Sequence, residues 1–436
     1  MIAKPKKIIV NKFGGGILKK NLIPFIIKRL QEQIKNGYQP VVVVSALPGV
    51  TDELLKNSDR SFLEKLKEKH AQTMIDIGFG QEWQRKAQIE LNKLFAGLEK
   101  DLKLSRTVLA NEDKIVAYGE KLSATIFTFY LNLFSLPAQR FLAEEIPIIT
   151  DDNFKNANII YKISEKNLQK KIYNLKKIPV IPGFTGKTKK GKTATLGRGG
   201  TDTTACFVGS ALRAEKVILW KDVGGVLSAD PKIVPEAKTI PTISYQEAEE
   251  AGKIIHDKAI QYAKLFGTSV EIASLSNPES RTKVEQLKHL EKGAKIVSYK
   301  KNLVLFWITD EVLKGNELLA TVSESFLRNK IDVILISNTR YSLQIVSENE
   351  NNMAQKVFAE LKKKVFKVEI FSVSMVFLVG NFDVQYVNNF NSLLIDLKAD
   401  MEISAFLYKN CTRLEAVVRT DKIDNIVKAL YDKFIK

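Results

Sequence analysis

The sequence predicts an α/β protein in two parts: a mainly parallel sheet with helices on both faces, then two small α+β units of ferredoxin-like rhythm. Three observations carry this. Short apolar runs that end in glycine turns and lead into helical stripes recur through the first two thirds of the chain. The run at 40–45 is a near-continuous valine stretch, as expected of a strand covered on both faces. From residue 295 onward, short strands alternate with helices in a β-α-β-β-α-β order that runs twice.

A chain of 436 residues has length for roughly two to four domains. Its 45% hydrophobic and 27% charged residues exclude a disordered or fibrous chain. The 67 Lys+Arg against 49 Asp+Glu give a net charge of +18, a sign that suits nucleic acid or acidic metabolites. The basic residues are spread through nearly every segment and form no block with interleaved aromatics. A solvated lysine-rich surface is therefore expected, with no nucleic-acid partner. Cys206 and Cys411 make neither a metal site nor a disulfide framework, which fits a reducing compartment. No apolar run reaches the about eighteen residues of a membrane span, and residues 1–13 lack a signal-peptide core, so a cytoplasmic protein with no membrane partner is expected.

Residues 7–10 read as a strand that runs into Asn11, Lys12, Phe13 and three glycines, before Ile23, Ile26, Ile27, Leu30 and Ile34 give a helical stripe. The strand at 40–45 ends in a turn at 46–51. Residues 52–104 read as helical, with His70 on the surface. A second helical reading at 108–134 contains Tyr118, Gly119 and Glu120, where Glu120 is either a capping carboxylate or a site group. A strand within 137–150 and a polar turn at 151–153 follow.

The chain is organised around 178–205. Ile178, Val180 and Ile181 predict a buried strand ending in Pro182-Gly183. A lysine-rich loop follows, then Gly197, Arg198, Gly199, Gly200, Thr201 and Asp202, then a helix carrying Ala205, Val208 and Leu212, with Thr201 or Asp202 as its cap. Glycines admit close backbone approach and a helix's first turn presents N–H groups at the positive end of its dipole, so this junction suits an anion. Arg198 adds a fork for a carboxylate, and Asp202 a negative group that can orient an ammonium. A plain glycine turn with a capping Asp is the alternative. Gly186, Gly191, Lys192 and Thr193 match the phosphate-loop pattern, but that pattern needs a helix starting at its Lys-Thr. Three glycines intervene within 194–200, so a mobile basic hairpin is predicted instead.

A strand at 216–220 leads to a turn-rich stretch with Asp222, Gly224, Gly225, Asp230 and Lys232. A helix over 244–266 places Lys253 and His256 on one face. The strand at 270–273 closes the sheet, and a polar linker begins at 277. Strands at 295–300, 304–309, 333–336, 342–346, 365–372, 374–379, 402–408 and 414–418 then alternate with helices at 318–328, 353–363 and 422–434.

Taken in order, Lys12-Phe13-Gly14-Gly15, Val44-Ser45-Ala46 with Gly49-Val50-Thr51, Tyr118-Gly119-Glu120, Gly183-Phe184, residues 195–202 and residues 220–231 resemble aspartate kinase over nearly the whole chain. The resemblance implies an amino-acid-kinase fold, an αβα sandwich at 1–277, then a linker at 278–294 and two ACT-like domains at 302–372 and at 295–301 with 373–436. It implies phosphorylation of the side-chain carboxylate of L-aspartate, the first step towards lysine, threonine and methionine, with ATP and Mg²⁺ as cofactors. By position, Lys12 and Asp202 would be catalytic. Ser45, Thr51, Glu120, Phe184, Arg198, Gly199, Gly200 and Thr201 would surround aspartate. Lys12, Gly14, Gly15, Trp220, Lys221, Asp222, Asp230, Lys232 and Lys253 would line the nucleotide site. The ACT-like domains imply an amino-acid effector and at least a homodimer.

The residue types suit that chemistry. A carboxylate nucleophile with a pKa of about 4 is ionised at neutral pH and needs no general base, which leaves positioning and charge stabilisation. Against the family pattern, Gly16-Ile17 lacks a hydroxyl, Gly224-Gly225 replaces Pro-Gly, Leu227 replaces Tyr, and the helix before Lys253 is about one turn short. Ile334 stands where lysine-sensitive members carry a carboxylate, with Asp332 on the same face by strand alternation. Another amino-acid or carbamate kinase, or a catalytically weakened amino-acid sensor, are the competing readings.

Overall fold

In the computed structural model, which describes residues 7–17, 21–57, 59–143, 145, 148–221, 224–251, 255–349, 353–398 and 411–436, an apolar strand, β1 (Lys7–Phe13), runs through the middle of an eight-stranded sheet. It is followed by α1 (Ile23–Lys35), β2 (Tyr38–Val44), and the helices α2 (Val50–Lys56), α3 (Arg60–Asp76), α4 (Gln81–Asp101), α5 (Leu109–Val116) and α6 (Tyr118–Leu133). The short strands β3 (Ala138–Arg140) and β4 (Ile149–Thr150) precede α7 (Tyr161–Ile172). Then come β5 (Ile178–Pro182), β6 (Thr185–Thr188), β7 (Thr193–Thr195), α8 (Gly200–Ala211), β8 (Lys216–Lys221), β9 (Thr242–Ser244), α9 (Tyr245–Ala251), α10 (Asp257–Leu265), β10 (Ser269–Ser274) and β11 (Arg281–Glu285). These elements belong to the first of two units, residues 1–226 with 239–288.

The strand order is β3-β5-β2-β1-β8-β10-β11-β9, and every neighbouring pair is parallel except β10 with β11. On one face Ile9, Phe13, Val42, Val44, Ile218 and Trp220 share an apolar core with α1 and α6. On the other, α8 lies so close that a Cβ on its Gly209 would sit 2.3 Å from Val217. Helices on both faces explain the near-uniform apolar character of these strands. The sheet does not close at β10, since β11, inside the stretch read as a linker, pairs with it and carries β9 at the edge.

Helical periodicity located the helical regions but not their breaks. The reading at 52–104 resolves into α2, α3 and α4, and that at 108–134 breaks at Ala117 between α5 and α6. The expected helix over 244–266 is two helices, with His256 at the N-cap of the second, and Lys253 lies outside the described residues. Lys192 sits in a β6–β7 hairpin, with its N–H donating to the Thr188 hydroxyl at 3.2 Å, so no helix begins there.

The second unit, residues 227–238 with 289–436, is built on β12 (Gly293–Thr309), α11 (Asn316–Arg328), β13 (Val333–Asn338), β14 (Ser342–Glu348), α12 (Met353–Leu361), β15 (Lys367–Phe382), α13 (Val384–Asp396), β16 (Cys411–Arg419) and α14 (Ile423–Phe434). Its five strands form one antiparallel sheet in the order β13-β14-β12-β15-β16. The two pairs of strands expected at 295–309 and 365–379 are therefore two long continuous strands. Between Lys300 and Leu303 the β12–β15 register slips, and Asn302 there takes a left-handed φ of 61°. That extra residue flips the parity of β12, so Val297 before it and Val304, Phe306 and Ile308 after it face the same side, where α11 to α14 pack. The strand read at 402–408 lies outside the described residues, and α13 was not foreseen. A register shift between Val333 and Leu335 also breaks the alternation expected to align Asp332 with Ile334; Asp332 precedes the strand and is exposed, while Ile334 packs among apolar residues.

His70 is not a surface residue. It is fully buried on α3, edge-on to Phe95 at 5.7 Å between ring centroids, with Nδ1 2.7 Å from the Leu66 carbonyl. Burial drives its pKa from 6.5 down to about 4. The folded protein then holds His70 neutral while the unfolded chain protonates it, so the stability it contributes is complete above pH 6.5 and is lost as pH falls towards 4. Urea denaturation of the wild type against a His70→Leu variant will show the difference in stability shrinking by on the order of 3 kcal/mol across that interval. A constant difference contradicts the buried neutral imidazole.

Candidate functional site

The carboxyl ends of the central parallel strands are level. Phe13 pairs with Val44 and with Trp220, and Val44 with Pro182. Backbone bonds carry the alignment one residue further: Ser45 N–H donates to the Phe13 carbonyl at 3.2 Å and Gly183 N–H to that of Val44 at 2.9 Å. Lys12, Ser45, Phe184 and Lys221 are thereby delivered to one rim, which α8 faces with its first turn. A cavity of about 550 Å³ opens there.

Asp202, in the first turn of α8, is the electrostatic centre. Its Oδ1 lies 2.8 Å from Lys12 Nζ and its Oδ2 3.8 Å from Lys221 Nζ, with the side chains of Lys12 and Asp202 only 13% and 12% exposed. Burial lowers the pKa of Lys221, with the Asp202 charge opposing and Lys12 reinforcing that shift. Cys206, one turn along α8, is held as a thiol by its burial and then by the Asp202 charge. Thr201, also in that turn, donates from its hydroxyl to the Ser45 hydroxyl at 3.3 Å.

The helix is capped by backbone conformation and not by a side chain. Gly199, not Thr201 or Asp202, is the N-cap, at φ 65°, and α8 opens at Gly200. A Cβ at Gly199 would lie 2.4 Å from the Cβ of His256, so both its left-handed φ and its contact require glycine. Phe184 also has a left-handed φ of 67°, held by its N–H donating to the Thr204 hydroxyl at 3.0 Å.

Glu120, on α6, is fully buried at the cavity wall. The Ala46 N–H donates to its Oε1 at 3.3 Å, and its Oε2 has no hydrogen-bond partner among the described residues. Burial raises its pKa from 4.5 to about 8, the Ala46 hydrogen bond opposing the shift.

The residues expected to be catalytic, Lys12 and Asp202, and those expected around a substrate, Ser45, Thr51, Glu120, Phe184, Arg198, Gly199, Gly200 and Thr201, all line this cavity. Those expected at a nucleotide scatter. Gly14 lies beside the Lys12 ammonium, and Gly15 packs so tightly that a Cβ would stand 2.0 Å from the Ala46 carbonyl oxygen. Trp220 turns inward: it is 4% exposed, and its Nε1 donates to Asn11 Oδ1 at 3.0 Å. Asp230 and Lys232 belong to the second unit, where Asp230 accepts from the Tyr299 hydroxyl at 2.7 Å, and Asp222 and Lys253 lie outside the described residues. Sequence reading missed Leu55, Glu112, Asp113, Val116, Lys155 and Thr195, which also line the cavity. Asp113 accepts from Thr195 N–H at 2.7 Å, the Thr195 hydroxyl at 3.0 Å and Lys155 N–H at 2.9 Å, tying the 151–158 loop to the strand before the glycine turn.

The model of the amino acid kinase family matches residues 7–274. The chain belongs to that family. Among its members, this chain is 27% identical to aspartokinase 3, chloroplastic, of Arabidopsis thaliana, over 99% of this chain and 82% of that protein. It is 26% identical to the aspartokinase of Bacillus sp. (strain MGA3), over 98% and 97% of the two chains. The fold superposes on E. coli aspartokinase III in complex with aspartate and ADP, with a TM-score of 0.79 at 23% identity, covering 99% of this chain and 100% of that one. The aspartate kinase of Clostridium acetobutylicum gives a TM-score of 0.79 at 22% identity, covering 98% and 100%. Among the described residues no helix is long and apolar enough to cross a membrane.

Glu120 yields a prediction independent of substrate. It ionises near 4.5 in the unfolded chain but near 8 in the folded one, so the stability tied to its protonated form is intact below pH 4.5 and is lost as pH rises towards 8. Replacing it by Gln removes this loss. Denaturant unfolding at about pH 5 and about pH 8 will show Glu120→Gln gaining stability relative to wild type at the higher pH; equal differences at the two pH values contradict the buried carboxyl.

Proposed function

We propose that the protein is an ATP-dependent aspartate kinase, which transfers the terminal phosphoryl group of ATP to the side-chain carboxylate of L-aspartate for amino-acid biosynthesis. The observation that carries this reading is a cavity lined by the Lys12–Asp202 pair at the first turn of α8, by Arg198 and by the buried carboxyl of Glu120. An amino acid with two carboxylates matches that distribution.

Glu120 binds the substrate ammonium as a carboxylate, its proton released to solvent through the open cavity as the cation enters, while Arg198 forks the α-carboxylate. Ser45, Thr51 and Thr201 orient the chain between them. The β-carboxylate then faces Lys12, whose ammonium, aimed by Asp202, stabilises the charge on the transferring phosphoryl group. At the nucleotide end, Lys221 and the Gly14-Gly15 turn contribute. Two ammonium groups beside a helix N-terminus fit a polyanion. Mg²⁺ bound with ATP would supply further charge neutralisation there.

The aspartokinase relatives, matched over 98–99% of this chain, support this reading over another acceptor on the same fold. A hydroxamate assay with ATP, Mg²⁺ and aspartate, run beside glutamate and N-acetylglutamate, tests it. Aspartate-dependent acyl phosphate is the expected result, and turnover with another acceptor alone refutes it. The reading places the protein in the cytoplasm as a homodimer or larger oligomer.

Arg198→Ala will raise KM for aspartate, since a bidentate guanidinium–carboxylate contact contributes roughly 2–4 kcal/mol. Lys12→Ala will instead collapse kcat with little change in KM. Steady-state kinetics separate the two, and an unchanged KM for Arg198→Ala rejects its role. Lysine will inhibit weakly or not at all, because E. coli aspartokinase III, solved with lysine, shares the fold while the position expected to carry a carboxylate is Ile334 here. Half-inhibition below about 1 mM lysine, roughly 4 kcal/mol of binding, shows that an effector pocket survives.

A further inference from the structure

Seven non-glycine residues among those described have a left-handed φ, and two of them, Phe184 and Lys155, line the cavity. Phe184 belongs to the expected site. Lys155, at φ 68°, does not. A lysine gains nothing intrinsic from that conformation, which favours glycine, and such a residue persists only where its surroundings dictate it. Here they do so at both ends. Its N–H donates to Asp113 Oδ2 at 2.9 Å, and its Nζ lies 2.8 Å from Glu112 Oε1, another cavity residue.

We propose that Lys155 is a specificity-determining residue that binds the α-carboxylate of the amino-acid substrate alongside Arg198, with Glu112 as its resting counter-ion. The proposal rests on the aspartate kinase reading. Lys155 and the glycine turn share one support: Asp113 holds Lys155 N–H and Thr195, two residues before Gly197, and a Cβ at Gly197 would stand 3.1 Å from the Lys155 carbonyl oxygen. The lysine is therefore fixed beside the segment that carries Arg198. Its side chain is 48% exposed and that of Glu112 17%, so their ion pair is weak and exchanges readily for a ligand carboxylate. Glu112 then competes with the substrate, and the two residues act in opposite directions.

Kinetics on the full chain test this with opposed signs. Lys155→Met and Lys155→Gly will each raise KM for aspartate about three- to tenfold with kcat within about twofold, Lys155→Arg will restore it, and Glu112→Gln will lower KM. Lys155→Gly suits the left-handed φ, so it keeps the loop while removing the cation, and its melting temperature will equal or exceed that of wild type. With the α-carboxamide of aspartate as substrate, KM will not respond to Lys155→Met. An unchanged aspartate KM in the Lys155 variants, or an increase in KM with Glu112→Gln matching that of Lys155→Met, overturns the proposal and leaves a loop staple. A wild type with no aspartate-dependent turnover overturns the kinase reading and this inference with it.

Discussion

Asp202 stands between two ammonium groups at the first turn of α8, and the arrangement of the first unit follows from keeping it there. A carboxylate in that position must be compensated, and Lys12 and Lys221 come from the ends of adjacent parallel strands to do so. The reverse also holds: two lysines this close would repel without Asp202. Burial already lowers the Lys221 pKa, and the Asp202 charge is what opposes that shift. In the proposed reaction, a phosphoryl group entering this cluster would meet positive charge that is fixed before it arrives, which is the form in which charge lowers a barrier.

The other constraint is backbone proximity. The glycine turn at 197–200 must lie against Phe184 on one side and His256 on the other, with no space for side chains at Gly199 or Gly200. Through Asp113, the same turn is braced by the 151–158 loop. The site is thus assembled from strand ends, one helix start and one loop, each held by bonds that do not depend on ligand. Such preorganisation suits a reaction whose nucleophile is already ionised and whose remaining need is alignment.

Much of this was legible in the sequence because it is written in residue types with strong local preferences. Glycines marked the turns at strand ends, valines the covered strands, and the Gly197 to Asp202 turn the helix start at the cavity. The substrate-side residues recognised from the family resemblance converge on one cavity. What was missed lacks a local signal. Lys155 has no propensity for a left-handed φ, so only the tertiary bonds of its loop reveal it. Trp220 was expected at a nucleotide, but strand parity points it into the core towards Asn11 and Phe13. His70 was judged by its type, whereas its spacing from Leu63, Leu66 and Met74 put it on the buried stripe of α3. The fused sheet of the second unit depends on a one-residue bulge at Asn302 that no periodicity shows.

In the proposed mechanism Asp202 is the charge that orients Lys12, and Asn is its closest uncharged copy in shape. The most direct measurement is the single-turnover rate of phosphoryl transfer from ATP to aspartate in Asp202→Asn beside wild type, with aspartate affinity determined on the same samples. The rate is predicted to fall at least about a hundredfold while the affinity changes little. A rate within a few-fold of wild type contradicts the central role given to this carboxylate.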